Sequence, residues 1–197
     1  MTQAIAHASI YAARRARLAA QLGEGGVAII PTAPEHARNR DSDFPYRHDS
    51  YFYYLTGFTE PNTWLVLDAT GRSTLFCQPK DLEREIWDGY RLGPDAATAA
   101  LGVTAAVSVA ELDKHLPKLL ENQHTVWYPF ATHKGLETRV DGWLNAVRAR
   151  VRFGAQCPSQ QRDVCGPLDD MRLIKDALEQ DVMRCAAQIS ARAHARR

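Results

Sequence analysis

Short apolar runs set between segments of helical period constrain this chain more than any other feature of its sequence. Val27-Ala28-Ile29-Ile30 is ended by Pro31 and Pro34, and Trp64-Leu65-Val66-Leu67 follows the turn Glu60-Pro61-Asn62. Thr70-Gly71-Arg72 turns into Ser73-Thr74-Leu75-Phe76-Cys77, the expected hairpin partner, and Val107 and Thr125-Val126-Trp127-Tyr128 add two more runs. Brief apolar runs bounded by Gly and Pro are the mark of buried strands. The aromatic run Tyr51-Phe52-Tyr53-Tyr54, which stops at Gly57, reads as a further core strand from its strand-forming residues.

Helices fill the intervals. Ile10, Leu18 and Leu22 share one face of a segment from about Ile5 to Leu22, which Gly23, Gly25 and Gly26 stop. Asp81 can cap a short helix with Glu83 and Glu85 in its first turn and Ile86 and Trp87 near its end. Gly93-Pro94 opens another, to about Leu101. Ser108 and Glu111 are spaced as a capping box before a helix from Leu112 to Glu121, which Pro117 bends or shortens. Leu136, Val140, Trp143, Leu144 and Val147 stripe one face of Gly135 to Arg150. Strands alternating with helices predict an α/β fold, a mixed β-sheet flanked by helices. Phe153 to Pro167 has no period and reads as a linker. After it, Ile174, Leu178, Val182, Cys185, Ala186, Ile189 and Ala193 mark one amphipathic helix whose apolar stripe lacks a partner within the chain.

Composition excludes several classes. With 24 Lys+Arg against 23 Asp+Glu the chain has no field to attract nucleic acid or an anionic membrane. No apolar run approaches the roughly 20 residues of a membrane helix. Arg14, Arg15 and Arg17 lie inside an alanine-rich stretch rather than ahead of an apolar block, which argues against a secretory signal and for a cytoplasmic protein. Cys77, Cys157, Cys165 and Cys185 form no C-x-x-C and read as reduced thiols.

Few residues carry chemistry on their own. The seven histidines show no H-x-x-x-H or H-E-x-x-H, so no metal site is expected within the chain. No nucleophile elbow, Walker loop or dinucleotide fingerprint is present. Asp41, Asp43, Arg47, His48, Asp49 and Ser50 have two readings: a site lined by carboxylates, an Arg and a His, or a loop in which Arg47 pairs with neighbouring carboxylates and Ser or Asp side chains cap the following strand. Trp87 is either an edge of the core or an exposed anchor at a partner surface.

Three ordered blocks nevertheless resemble a known family. Arg40-Asp41-Ser42-Asp43-Phe44-Pro45-Tyr46-Arg47-His48-Asp49-Ser50-Tyr51-Phe52-Tyr53-Tyr54-Leu55-Thr56-Gly57-Phe58-Thr59-Glu60-Pro61 resembles the D-S-x-[FY]-x-Y-R-x-x-S-x-F-x-Y-[LF]-T-G-F-x-E-P signature of the N-terminal domain of bacterial Xaa-Pro aminopeptidases (aminopeptidase P). Asp81 to Gly93 is similar to the family's D-L-x-x-E-I-W-x-G-x-R-x-G stretch, and Asp170-Met171-Arg172-Leu173-Ile174-Lys175 to its [ED]-M-R-x-[IF]-K segment. The entry to that last block departs from the pattern, because Cys165-Gly166-Pro167-Leu168 replaces the usual Arg-Pro.

The resemblance implies an N-terminal domain with linker at 1–167, shared in fold with creatinase and prolidase, and at 168–197 the first segment of a pita-bread catalytic domain, cut short. In the family that second domain holds two metal ions, usually manganese, through two Asp, one His and two Glu, and cleaves the bond before a proline at the second position of a peptide. None of those ligand motifs has a counterpart here, so no catalytic or metal residue carries over and no cofactor is expected in this chain. The family's N-terminal domain shapes the mouth of the active site and builds a homo-oligomer. The resemblance places Trp87 on the surface facing a neighbouring subunit's site, and Tyr46 and Arg47 are candidates for the same gating or interface surface. Two other readings stay open: a stand-alone binding module whose last helix docks on a partner, and an enzyme in its own right using Asp41, Asp43, His48 and Asp49.

Overall fold

Each position of the first apolar run is buried, because the strand it forms lies inside a sheet. The computed structural model describes residues 7–196. Its strands are β1 (Gly26–Pro31), β2 (Ala37–Asn39), β3 (Ser42–Asp43), β4 (Trp64–Asp68), β5 (Ser73–Cys77), β6 (Ala105–Ser108), β7 (Thr125–Tyr128) and β8 (Gln160–Asp163). Six of them form one sheet in the order β6-β5-β4-β1-β7-β8, and β2 pairs with β3 apart from it. β1 runs antiparallel to β4, with Ile29 opposite Val66, and parallel to β7, with Val27 opposite Val126. β4 and β5 are the antiparallel hairpin, and β6 and β8 add parallel edges. This is the mixed α/β sheet that the alternating pattern predicts.

The helices are α1 (Ala8–Ala19), α2 (Ser50–Thr56), α3 (Leu82–Asp88), α4 (Gly93–Leu101), α5 (Leu112–Leu120), α6 (Leu136–Arg148), α7 (Cys165–Leu173) and α8 (Ala177–Ala195). The predicted start of the first helix at Ile5 lies outside the described residues. Because strand side chains alternate, Val27 and Ile29 face one layer while Ala28 and Ile30 face the other. The first layer is a core with Val66, Phe76, Leu112, Leu116, Leu120, Val140, Trp143 and Val147, closed by α5 and α6. Each such buried side chain contributes about 1.5–3 kcal/mol. The second layer is covered by α1, α2 and α4, with Leu18, Phe52, Leu55, Ala97 and Leu101 buried.

Two charges are also buried there. Arg15 donates to the carbonyls of Leu55 at 2.9 Å, Leu101 at 3.1 Å and Gly102, and Arg14 donates to the carbonyl of Tyr54 at 3.1 Å. The two arginines satisfy orphan carbonyls at the C-terminal ends of α2 and α4. Burial lowers the Arg15 pKa to about 10.

The fold corrects four expectations. The run Tyr51 to Tyr54 is not a strand but the body of α2. The Asp49 side chain accepts the Phe52 N–H at 2.9 Å at one end, and left-handed Gly57 (φ 64°) returns its N–H to Tyr53 O at 2.8 Å at the other. The caps and burial against α1 override strand propensity. Within the predicted linker, 160–163 form the edge strand β8; every position is exposed, so no apolar period announces it and the backbone ladder to β7 makes it. At Ser108 only half of a capping box exists. Its side chain accepts the Ala110 N–H at 3.4 Å ahead of a 3-10 turn, while Glu111 pairs with Lys114. The last helix does not start at Ile174, since α7 ends at Leu173 and α8 begins after Asp176, whose carboxylate and Glu179 cap each other reciprocally at 3.0 Å.

The chain divides into two compact units, Met1–Cys165 and Gly166–Arg197. In the second, no residue of α8 is buried, and Ile174, Val182, Met183 and Ile189 are exposed. Among the described residues no helix is long and apolar enough to cross a membrane.

Candidate functional site

The segment richest in chemical groups leaves β1 and returns as α2. Its outermost part is the β2–β3 hairpin, exposed throughout, with Asp41 at the turn and its N–H on the Asn39 side chain at 3.1 Å. Asp43 is exposed on β3. The hairpin is tied down by Tyr46. Its hydroxyl donates to the Ala33 carbonyl at 3.0 Å, leaving its lone pairs to accept from the Thr32 hydroxyl at 2.8 Å. Thr32 Oγ1 in turn accepts the Asp49 N–H at 3.3 Å. Burial pushes the Tyr46 hydroxyl above its ordinary pKa, against the Thr32 bond.

The loop reading pairs Arg47 with carboxylates, but among the described residues it has no such partner. It donates to the His48 carbonyl at 2.9 Å and reaches the Ser50 hydroxyl at 3.5 Å. His48 stacks on the Tyr53 ring, 4.3 Å between centroids. Burial, then the Arg47 charge, lower its pKa against Asp49. Asp49 is the cap of α2, and its free face looks toward His133 Nε2 at 3.9 Å. Burial lowers the His133 pKa, opposed by Asp49 and Glu137. Tyr46 and Arg47 share a shallow depression of about 430 Å³ with His36 and Phe44.

Asp49 and His133 open on a larger cleft of about 610 Å³, lined also by Thr32, His36, Trp64 and Arg139. It lies past the carboxyl ends of the parallel strands β1 and β7, where α/β sheets commonly place ligands. Arg139 is already engaged. Its guanidinium holds Asp113 through two bonds of 3.0 and 3.1 Å, and Trp143 Nε1 donates to the same carboxylate at 2.8 Å. The Arg139 bond holds Asp113 below the usual carboxylate range.

Of the four residues of the own-enzyme reading, Asp41 and Asp43 stand on the exposed hairpin, His48 lies on Tyr53, and Asp49 caps a helix. Only Asp49 faces a second titratable group across the cleft, and that group is His133, which local spacing could not single out because it arrives from the loop after β7. Among the described residues no group of three or more His, Cys, Asp or Glu could hold a metal ion.

Trp87 stands elsewhere, on α3. The Asp81 carboxylate caps that helix through the N–H groups of Glu83 and Arg84, both at 3.1 Å, and none of its residues is buried. Trp87 is 85% exposed, so the core-edge reading is excluded.

Known proteins match this layout over nearly its whole length. The family model for the aminopeptidase P N-terminal domain matches residues 11–127. The Xaa-Pro aminopeptidase of Escherichia coli (strain K12) is 38% identical across 93% of this chain but only 42% of its own length, and that of Haemophilus influenzae 35% identical across 92% and 40%. Among solved structures, Pseudomonas aeruginosa aminopeptidase PepP superposes with a TM-score of 0.92 at 42% identity, covering 96% of this chain and 43% of that one. Escherichia coli aminopeptidase P with the inhibitor Pro-Leu gives 0.90 at 37%, covering 95% and 43%. The chain thus spans less than half the length of the relatives it matches. With the signature blocks, the mixed sheet and the family model in agreement, the chain belongs to the aminopeptidase P N-terminal domain family.

Proposed function

We propose that this chain is the non-catalytic N-terminal part of a Xaa-Pro aminopeptidase, a metallopeptidase that releases the residue preceding a proline at the second position of a peptide. Its share of the work is subunit contact and the mouth of the active site. The observation that carries this reading is the match to 42% of the Escherichia coli Xaa-Pro aminopeptidase. Structures of that relative include variants with His, Asp or Glu replaced by alanine at positions numbered beyond the length of this chain, and a zinc-substituted form with product. The residues here do not fit the two-manganese centre the family implies, since the described part lacks a suitable donor group. No hydrolytic step is assigned to them.

In this reading 1–167 is the domain with its linker, and 168–197 the first segment of the catalytic domain. Trp87, held out on α3, faces a neighbouring subunit of a homo-oligomer. Tyr46 ties the loop that carries the exposed hairpin, Arg47 bonds the start of α2 beside it, and both belong to the gate. The setting is cytoplasmic, supported by four cysteines of which none is in a disulfide. Incubated with manganese and a peptide carrying proline at its second position, the 197-residue chain releases no amino acid; metal-dependent release would overturn the reading. Sedimentation should show self-association that Trp87→Ala weakens, and an unchanged association constant would remove the subunit role of Trp87.

The exposed apolar residues of α8 favour a second reading, a stand-alone module that docks on a partner. It predicts that α8 resists proteolysis only when a separate protein is added.

A further inference from the structure

The arm from Lys80 to Leu92 carries a helix that hydrophobic packing does not orient. Leu82, Ile86, Trp87 and Tyr90 are all exposed, and α3 buries nothing. A helix of this length has no stability of its own in water, so other forces hold it. Most of them are internal to the arm. Lys80 Nζ donates to Glu85 Oε1 at 2.9 Å and to the Arg91 carbonyl at 3.3 Å, and the Arg91 N–H reaches the same Glu85 oxygen at 3.1 Å. Lys80 also lies over the Tyr90 ring at 4.1 Å, and Arg91 bonds Asp88 at 2.9 Å. These contacts clip the start of the arm to its end, but they do not aim it.

The arm is aimed where it rejoins the domain, by the buried side chain of Leu92 and by one carboxylate from outside. Glu60 Oε1 accepts the Leu92 N–H at 2.8 Å, across 32 residues of sequence. Glu60 is itself fixed in the turn before β4, where its carbonyl accepts the Thr63 hydroxyl at 3.1 Å. Its second carboxylate oxygen is buried and has no partner among the described residues. Such an oxygen costs free energy, and burial accordingly raises the Glu60 pKa against the Leu92 N–H, Arg91 and Lys80. A group so expensive to bury, spending its carboxylate bond at the point where Leu92, the arm's one buried side chain, rejoins the core, has a positioning task. Gly89 (φ 86°) and Gly93 (φ 74°) flank the latched stretch and supply joints at which a released arm would swing.

We propose that Glu60 is the positioning residue of the arm: its carboxylate latches Leu92 and so sets the direction in which Ile86, Trp87 and Tyr90 are presented to a second copy of this chain. The identity of the partner rests on the reading of Trp87 as a subunit contact; the latch does not.

Hydrogen exchange by mass spectrometry on the 197-residue chain, paired with sedimentation, tests both parts. In Glu60→Ala the amides of 89–92 exchange roughly tenfold faster or more, as expected for a lost protecting bond, while those of β1 and β4 are unchanged. Glu60→Gln, whose amide oxygen can accept the same N–H, restores protection. Glu60→Ala weakens self-association as Trp87→Ala does, and Glu60→Gln leaves it intact. Unchanged exchange at 89–92 in Glu60→Ala overturns the latch, as does equal loss of protection in both Glu60 variants. If Trp87→Ala leaves association unchanged, the partner fails while the exchange result still judges the latch. Should Glu60→Ala not fold, Glu60→Leu, which fills the same space and accepts nothing, carries the same comparison.

Discussion

Arg15 makes three bonds to backbone carbonyls in a place where a guanidinium would otherwise be too costly to bury. Arg15→Ala leaves the carbonyls of Leu55, Leu101 and Gly102 unmatched and opens a void, and it should cost about 2–4 kcal/mol in a urea titration. Arg15→Lys should recover only part of that, because an ammonium cannot reproduce the planar fork. Glu60 offers a test with the opposite sign. Its pKa is raised in the folded chain, so the folded state favours the protonated form. The stability this brings is complete below the unfolded value near 4.5 and is lost as pH rises through the raised folded value. Ionised, Glu60 meets Arg91 and Lys80 in its favour and Glu85 against it, with the Cys77 thiol, itself pushed up to about 12 chiefly by burial, alongside. Glu60→Gln should therefore melt above the wild type at neutral pH, and the gap should close on acidification. A gap that widens at low pH would contradict the sign. Neither residue is marked by its neighbours in sequence: Arg15 reads as one more charge in an alanine-rich helix, and Glu60 as a turn residue.

At the scale of elements, α2 shows where local preference yields. Four consecutive aromatic or strand-favouring side chains form a helix because Asp49 starts it and Gly57 stops it. Both signals stand in the sequence on either side of a run whose propensity points the other way. Gly57 carries a second constraint, since a Cβ there would run into the Tyr11 ring. Gly57→Ala should destabilise by about 1–3 kcal/mol, read as a shift of the urea midpoint without a change in slope. Elements defined by an apolar face, β1, β4, β5, β7 and α6, were legible from spacing alone. β8 was not, because an exposed edge strand is defined by its ladder rather than by its side chains. The break before α8 was legible in principle as the pair Asp176 and Glu179, but the apolar stripe runs past it.

For the whole molecule, alternating strands and helices predict the layered mixed sheet, and the signature blocks predict the family. The cleft could not be read in the same way. Asp49 and His133 reach it from segments far apart in sequence, and only the β1–β7 pairing brings them together. Val182 and Ile189 on α8 are exposed, so Val182→Glu and Ile189→Glu should leave the unfolding midpoint of the unit 1–165 unchanged, within about 0.5 kcal/mol. A large loss of stability would mean that those side chains are packed in solution.

The position of β1 has a consequence for synthesis on the ribosome. β1 emerges early, yet one of its neighbours is a strand at 125–128, itself bordered by another at 160–163. The β4–β5 hairpin can pair with it while the nascent chain is still short, leaving the central strand with one open edge until Tyr128 has cleared the exit tunnel. The Arg15 clasp waits likewise for Gly102. Made before either strand it pairs with, β1 is thus enclosed late. Until then its open edge is a place where the growing polypeptide can pair wrongly.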